Sequence, residues 1–332
     1  MFSSIDIAKK AGVSQSTVSR VMNNPDIVNV KTRNKVLHIM EELNYRPNST
    51  ARSLVKQKTY SIALISGPLH NPFFVETTTS IVNYAKSKGF NVNVHFENMG
   101  NNMAVYQDVL NHQVDGIILS SILYEDDIYE ELQKLNIPYI MFNRRHKNSL
   151  NYVEMDNVQA GKLATNHLID LNHREIVWIG GPLSMTTFAG RYNGFRQSFA
   201  ENNVYFNEDN VIITDTSAAT ISAEVVAIMN RKNPPTAIFA ATDSIAIYVM
   251  DTLKREGYQI PEDISLIGID NVELSRHSAI DLSTVGIMHE ENLGKIAIEH
   301  LIHLIEEKET SLVDVDKTID TELFIRETTA KI

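Results

Sequence analysis

The stretch Gly12-Val13-Ser14-Gln15-Ser16-Thr17-Val18-Ser19-Arg20-Val21-Met22 decides how the head of this 332-residue chain folds. Ser14 suits a helix N-cap, because its hydroxyl can accept from backbone amides two or three residues on, and Gly12 suits the end of a preceding helix. Ahead of it Ser3 and Asp6 stand in capping-box spacing, and Ile7, Ala8 and Ala11 form the apolar stripe of a short first helix. Two helices joined by three or four residues with a Gly is helix-turn-helix spacing. On the second helix Val18, Val21 and Met22 turn inward and Gln15, Ser16, Thr17, Ser19 and Arg20 point out. Short hydrogen-bonding side chains and a guanidinium are the groups that reach base edges and phosphates in a major groove. A solvated helical hairpin exposes the same residue types, so the spacing by itself leaves both readings open.

The residues downstream of this hairpin decide between them. Thr32 to Leu43, with Val36, Ile39, Met40 and Leu43 inward, completes a three-helix unit. Pro47 stops it, and Asn48 can cap a short helix from Ser49 to Val55. Leu54 on that linker either seals against a partner copy, wedges between base pairs in a minor groove, or packs under the next domain. Through "DIAKKAGVSQSTVSRVMNN", "VKTRNKV" and "LNYRPNSTARSL" the first 60 residues closely resemble the lactose/galactose repressor family. The resemblance implies a DNA-binding transcriptional regulator acting as a homodimer on a near-palindromic double-stranded operator. It implies base or phosphate contacts from Gln15, Ser16 and Arg20 and phosphate contacts from Lys31, Arg33 and Arg46, with Ser14, Thr17, Asn23, Asn48 and Ala51 in the same DNA-facing set. In the family two hinge helices pair on DNA, and the residue matching Leu54 enters the minor groove.

Composition agrees with a reader of DNA joined to a separate regulatory body. Net charge is −11, but residues 1–58 hold ten Lys and Arg against four acids, a balance of +6, leaving 20 against 37, or −17, for the rest. With 43% hydrophobic residues and no run of 18 apolar ones, the chain reads as a soluble protein of two or three domains without a signal peptide or membrane span. The absence of cysteine excludes disulfides, thiolate chemistry and cysteine zinc sites. A cytoplasmic, nucleoid-associated setting is expected.

Beyond Thr59 short apolar strands alternate with amphipathic helices, twice over, which predicts two doubly wound parallel-sheet lobes. Strands are expected at 60–66, 90–96, 116–120 and 138–143, then at 175–180, 211–214, 236–241 and 265–269, with a single terminal strand around 318–326. The expected fold is an N-terminal all-α helix-turn-helix domain (1–46), a hinge (47–58) and an α/β periplasmic-binding-protein-like body (59–332). Its N-lobe would span about 59–157 plus 288–317, and its C-lobe about 158–287 plus 318–332.

Two such lobes leave a cleft at the carboxyl ends of their strands, where open sheets bind ligands. Asn71, Phe73 and Phe74 follow the first strand, Asn143 and Arg144 end the fourth, and Phe239, Asp243 and Asp270 lie at later strand ends. Arg, Asp and Asn pair with vicinal hydroxyls, while an aromatic ring covers the apolar face of a sugar or base. Duller roles compete: Asp243 as cap of a helix starting at Ser244, Asp270 closing a turn, one phenylalanine as core, and 144–147 as a solvated basic loop. The family resemblance places Phe73, Phe74, Asp156, Arg191, Phe239 and Asp270 in the effector cleft. Purine-binding members carry Arg where this chain has Met185, which argues against a carboxylate- or purine-type effector and for a carbohydrate or related metabolite. No catalytic constellation, cofactor loop or metal motif is present. A global regulator controlled by a phosphocarrier protein and a solute-binding receptor are the alternatives.

Overall fold

The structure is a computed structural model that describes residues 2–45, 58–97, 102–135, 137–288, 292–306 and 316–332, without the side chains of Asn23 and Asn102. It comprises two compact units, Met1–Thr59 and Tyr60–Ile332.

In the smaller unit α1 (Ser4–Ala11), α2 (Gln15–Asn23) and α3 (Val30–Glu42) enclose Ile7, Ala8, Ala11, Val18, Val21, Val36 and Ile39. The capping box is formed: Ser3 Oγ accepts from the Asp6 amide at 3.3 Å, and Asp6 Oδ2 accepts from the Ser3 amide at 2.8 Å. Gly12 ends α1 at φ +65°, a conformation that costs glycine no Cβ clash. The third helix starts at Val30 rather than Thr32, because Asn29 supplies its cap by accepting from the Lys31 amide. The expected helix at 49–55 lies outside the described residues.

The larger unit carries two six-stranded sheets. In the N-lobe, β1 (Ser61–Ser66), β2 (Asn91–Phe96), β3 (Gly116–Leu119), β4 (Tyr139–Phe142) and β5 (Tyr152–Met155) alternate with α4 (Pro72–Ser87), α5 (Asn102–Asn111) and α6 (Ile128–Lys134). All strand pairs of this sheet are parallel, and β1 is buried on both faces. Ile62 and Leu64 face α4 and a later helix, whereas Ala63 and Ile65 face α5 and α6.

In the C-lobe α7 (Asn157–Asp170), β6 (Ile176–Gly180), α8 (Thr186–Glu201), β7 (Val211–Ile213), α9 (Ala218–Met229), β8 (Ala237–Ala240), α10 (Asp243–Arg255), β9 (Ser265–Ile269) and β10 (Ser283–Gly286) build the second sheet around Trp178, Phe195 and Phe239. The chain then returns to the N-lobe as α11 (Leu293–Glu306) and β11 (Asp316–Ile319), and ends on β12 (Glu322–Phe324).

Three expectations are corrected here. β5 and β10 were not expected; Glu154 in one and Ser283, Thr284 and Gly286 in the other hide them from an apolar-run search. The single terminal strand is two, because β11 pairs parallel with β5 while β12 pairs antiparallel with β10. The chain thus crosses between lobes at Asp320–Thr321, so residues 318 and 319 belong to the N-lobe, and the second sheet has one antiparallel edge. Strand propensity runs through both segments and carries no information on which sheet each joins.

Candidate functional site

On α2 the side chains of Gln15, Ser16 and Arg20 are exposed, Thr17 is half-buried, and Val18 and Val21 anchor the helix from behind. Ser14 Oγ accepts from the Thr17 amide at 3.2 Å and lies 2.8 Å from Ser16 Oγ, so its hydroxyl is occupied in holding the first turn. Gln15 Nε2 donates to Ser4 Oγ at 3.0 Å, which ties the start of α2 to α1. Lys31 is exposed at the start of α3, and Arg33 faces Asp26 across 3.4 Å. Arg46, Asn48, Ala51 and Leu54 lie outside the described residues, as does the side chain of Asn23.

The second candidate region lies between the lobes, where residues that follow β1, β2 and β4 and residues that follow β6, β7 and β8 line a common cavity. Three cavities open there, of about 630, 420 and 440 Å³. Asn71 and Phe74 line the 420 Å³ cavity, Asp156 the 630 Å³ one, and Phe73 and Asp270 the 440 Å³ one. Asn71 also caps α4 by accepting from the Phe73 amide, and Asp156 caps α7 by accepting from the Gln159 amide. Both phenylalanines are buried, their rings edge-to-face at 5.3 Å.

Asn143, Arg191, Phe239 and Asp243 are buried and line none of the three cavities. Arg191, 1% exposed on α8, is a keystone. Its Nε donates to Asn157 Oδ1 at 3.0 Å, Nη1 to the Ala241 carbonyl at 2.6 Å and Nη2 to Asp270 Oδ1 at 2.8 Å. Asp270 is therefore more than a turn residue; it and Asn271 hold φ of +134° and +54°, strain that the surrounding bonds sustain. Arg326 Nη2 donates to Asn271 Oδ1 at 2.7 Å. Asp243 is not the cap of α10, since Thr242 accepts from the Ile245 amide. Its carboxylate turns inward to accept from the Val272 amide at 3.0 Å and the Thr284 hydroxyl at 2.6 Å. Burial, with Asp270 nearby, pushes the Asp243 carboxyl up to about 7.

The basic segment 144–147 is not a solvated loop. Arg144 is 6% exposed and faces Glu97 across 3.5 Å, Arg145 pairs with Glu154 at 3.1 Å, His146 is buried against Tyr129, and Lys147 pairs with Glu125 at 2.7 Å. Glu97, Glu154 and Asp215 are cavity-lining carboxylates that reading the sequence missed. The signal was available only as the excess of acid in the body. Burial lifts Glu154 to about 7, with Asp156 and Asp316 adding to the rise and Arg145 opposing it. Because its folded value is raised, its contribution to stability is complete below the ordinary carboxylate range and is lost as pH rises through about 7. Relative to E154Q, the wild-type protein is expected to lose stability between about pH 4.5 and about pH 7 in urea titrations; parallel profiles would contradict this.

A correspondence between the lobes shapes the cleft. Gly67-Pro68-Leu69 follows β1 and Gly181-Pro182-Leu183 follows β6, and each glycine stands seven residues before a phenylalanine, Phe74 and Phe188. A Cβ at Gly67 would strike the Phe74 ring, and one at Gly181 the Phe188 ring. Both rings, with Pro68 and Pro182, line the 420 Å³ cavity from opposite lobes. Behind it α7 and α8 touch backbone to backbone, since a Cβ on Gly161 would collide with the Arg191 carbonyl and one on Gly194 with that of Val158. G161A is expected to cost about 1–3 kcal/mol through overpacking, read as a lower urea midpoint.

Two family models match the chain, bacterial regulatory proteins of the lacI family over residues 5–48 and a periplasmic binding protein-like domain over residues 165–329. The HTH-type transcriptional regulator DegA of Bacillus subtilis (strain 168) is 36% identical over 286 residues, covering 84% of this chain and 85% of that protein. The HTH-type transcriptional repressor PurR of Aliivibrio salmonicida (strain LFI1238) is 31% identical, over 91% and 92% of the two chains. Among solved structures, the Lac repressor dimer bound to operator and the anti-inducer ONPF superposes with a TM-score of 0.85 at 26% identity, covering 99% of each chain. The transcriptional regulator CelR–cellobiose complex gives 0.72 at 25% identity, over 99% of this chain and 100% of that one. These relatives are regulators and repressors of transcription, not enzymes, and no helix among the described residues is long and apolar enough to cross a membrane.

Proposed function

Because this chain belongs to the lacI family of bacterial regulatory proteins, DNA-binding regulators of transcription, we propose that it is a cytoplasmic repressor whose hold on its operator is set by a carbohydrate effector. The supporting observation is the exposed face of α2, where Gln15, Ser16 and Arg20 project from a capped helix backed by Val18 and Val21. In this reading residues 1–46 read the DNA, residues 47–58 form the hinge, and the body binds effector and a second copy of the chain. A homodimer places two such helices on a near-palindromic site, with Lys31, Arg33 and Arg46 on phosphates. The solved Lac repressor carrying operator and anti-inducer together supports DNA and small-molecule binding in one protein of this architecture, and CelR carrying cellobiose supports a sugar-type ligand.

Chain crossings at 155–157 and 320–321 join the lobes among the described residues, so a ligand between the lobes biases their relative angle, and effector and operator must change each other's affinity by one factor. Genome-wide immunoprecipitation followed by titration of the recovered DNA against sugars is the test. A discrete inverted repeat whose affinity shifts with one sugar is expected. Scattered fragments without a shared site, or an operator affinity that no sugar changes, would reject the proposal.

A further inference from the structure

We infer that the interlobe cleft takes an amine-bearing, hence cationic, polyhydroxy ligand, such as an amino sugar, and discriminates against phosphorylated or carboxylated ones. This deepens the effector reading above and rests on it. Five carboxylates line the 420 and 630 Å³ cavities, Glu97 and Asp215 in the first and Glu125, Glu154 and Asp156 in the second, against two guanidinium groups, Arg144 and Arg145. Both guanidiniums are already matched, Arg144 by Glu97 at 3.5 Å and Arg145 by Glu154 at 3.1 Å. Glu125 is matched in turn by Lys147 at 2.7 Å, which leaves Asp156 and Asp215 as the surplus negative charge that an incoming anion would meet. An ammonium group would be attracted by it.

The 420 Å³ cavity adds the geometry. Phe74 and Phe188 enter from equivalent positions in the two lobes, and Tyr248 joins them. Aromatic faces cover the apolar side of a sugar ring and attract a cation through their quadrupole. Asp215 stands at the same cavity, and the Ser217 amide, donating to its Oδ1 at 2.9 Å, holds it ionised below the ordinary carboxylate value. Ser217 and Thr220 hydrogen-bond this exposed carboxylate, and no Lys or Arg pairs with it among the described ion pairs. Arg144, 6% exposed, lines the cavity, and its buried Nε has no hydrogen-bond partner. The ligand chemistry is therefore a hydroxylated ring with a positive group on the Asp215 side.

Calorimetric titration of the full chain with D-glucosamine, D-glucose, N-acetyl-D-glucosamine and D-glucose 6-phosphate tests this. Glucosamine is expected to bind roughly ten-fold or more tighter than glucose and its N-acetyl derivative, as one hydrogen bond between charged groups allows. Glucose 6-phosphate is expected to bind more weakly than glucose, and D215N to abolish the amine's advantage over glucose. The inference is overturned if the phosphate ester outbinds glucose, if the amine has no advantage, if D215N preserves it, or if none of the four binds. These titrations contain no DNA, so their failure is distinct from failure of the operator reading, which immunoprecipitation tests.

Discussion

Replacing Arg191 with methionine is expected to lower the unfolding free energy of the body by about 3–5 kcal/mol, the usual result of removing one partner from a buried ion pair. Arg191 and Asp270 are 1% and 4% exposed at their side chains, so Asp270 would be left buried and charged, and the Ala241 carbonyl and Asn157 would each lose a donor. The readout is the urea midpoint. The double variant R191M/D270N should recover part of the loss, because replacing both partners with neutral groups removes the stranded charge. A midpoint within experimental scatter of wild type would show that the keystone is dispensable. Coupling should suffer as well, since Arg191 ties the Asn157 crossing to the ends of β8 and β9. Operator binding of any surviving folded protein is expected to respond less to effector.

The second large effect belongs to α2. Q15A and R20A are each expected to weaken operator binding by about 1–3 kcal/mol, roughly 5- to 150-fold, which is the range for a side chain reading a base edge. Both side chains are exposed, and Val18 and Val21 hold the helix core, so the melting midpoint of the head should move little. Measuring affinity across salt concentrations separates the roles. If Arg20 contacts a phosphate, R20A lowers the salt slope by about one and weakens all sequences alike; if it reads a base, discrimination at one operator position relaxes. Unchanged operator affinity in both variants would remove α2 from the interface.

Much of the fold was legible because it rests on local chemistry. Ser3 with Asp6, Gly12 and Ser14 mark helix ends through hydrogen bonds spanning two to four residues, and each forms as read. The alternation of apolar strands with amphipathic helices announced both lobes, since a parallel strand buried on two faces requires a continuous apolar run. Legibility fell where the partner is distant in sequence. Nothing near Asp243 indicates that its carboxylate meets Val272 and Thr284 rather than capping α10. Nothing in 144–147 shows that Arg144, Arg145 and Lys147 find Glu97, Glu154 and Glu125. The Gly-Pro-Leu repeat at 67 and 181 was visible as text, but its meaning required seeing Phe74 and Phe188 reach one cavity.

Family, helix-turn-helix head and two-lobed body were thus determined by the sequence alone, because capping, periodicity and motif spacing act over one or two turns of chain. Tertiary structure alone decided that Arg191 is buried among Asn157, Ala241 and Asp270, that the terminal strand divides between two sheets, and that the cleft's guanidiniums are already neutralised. Charge pairing and strand partnership depend on which distant residues share a buried space, and the order of residues along the chain does not record that.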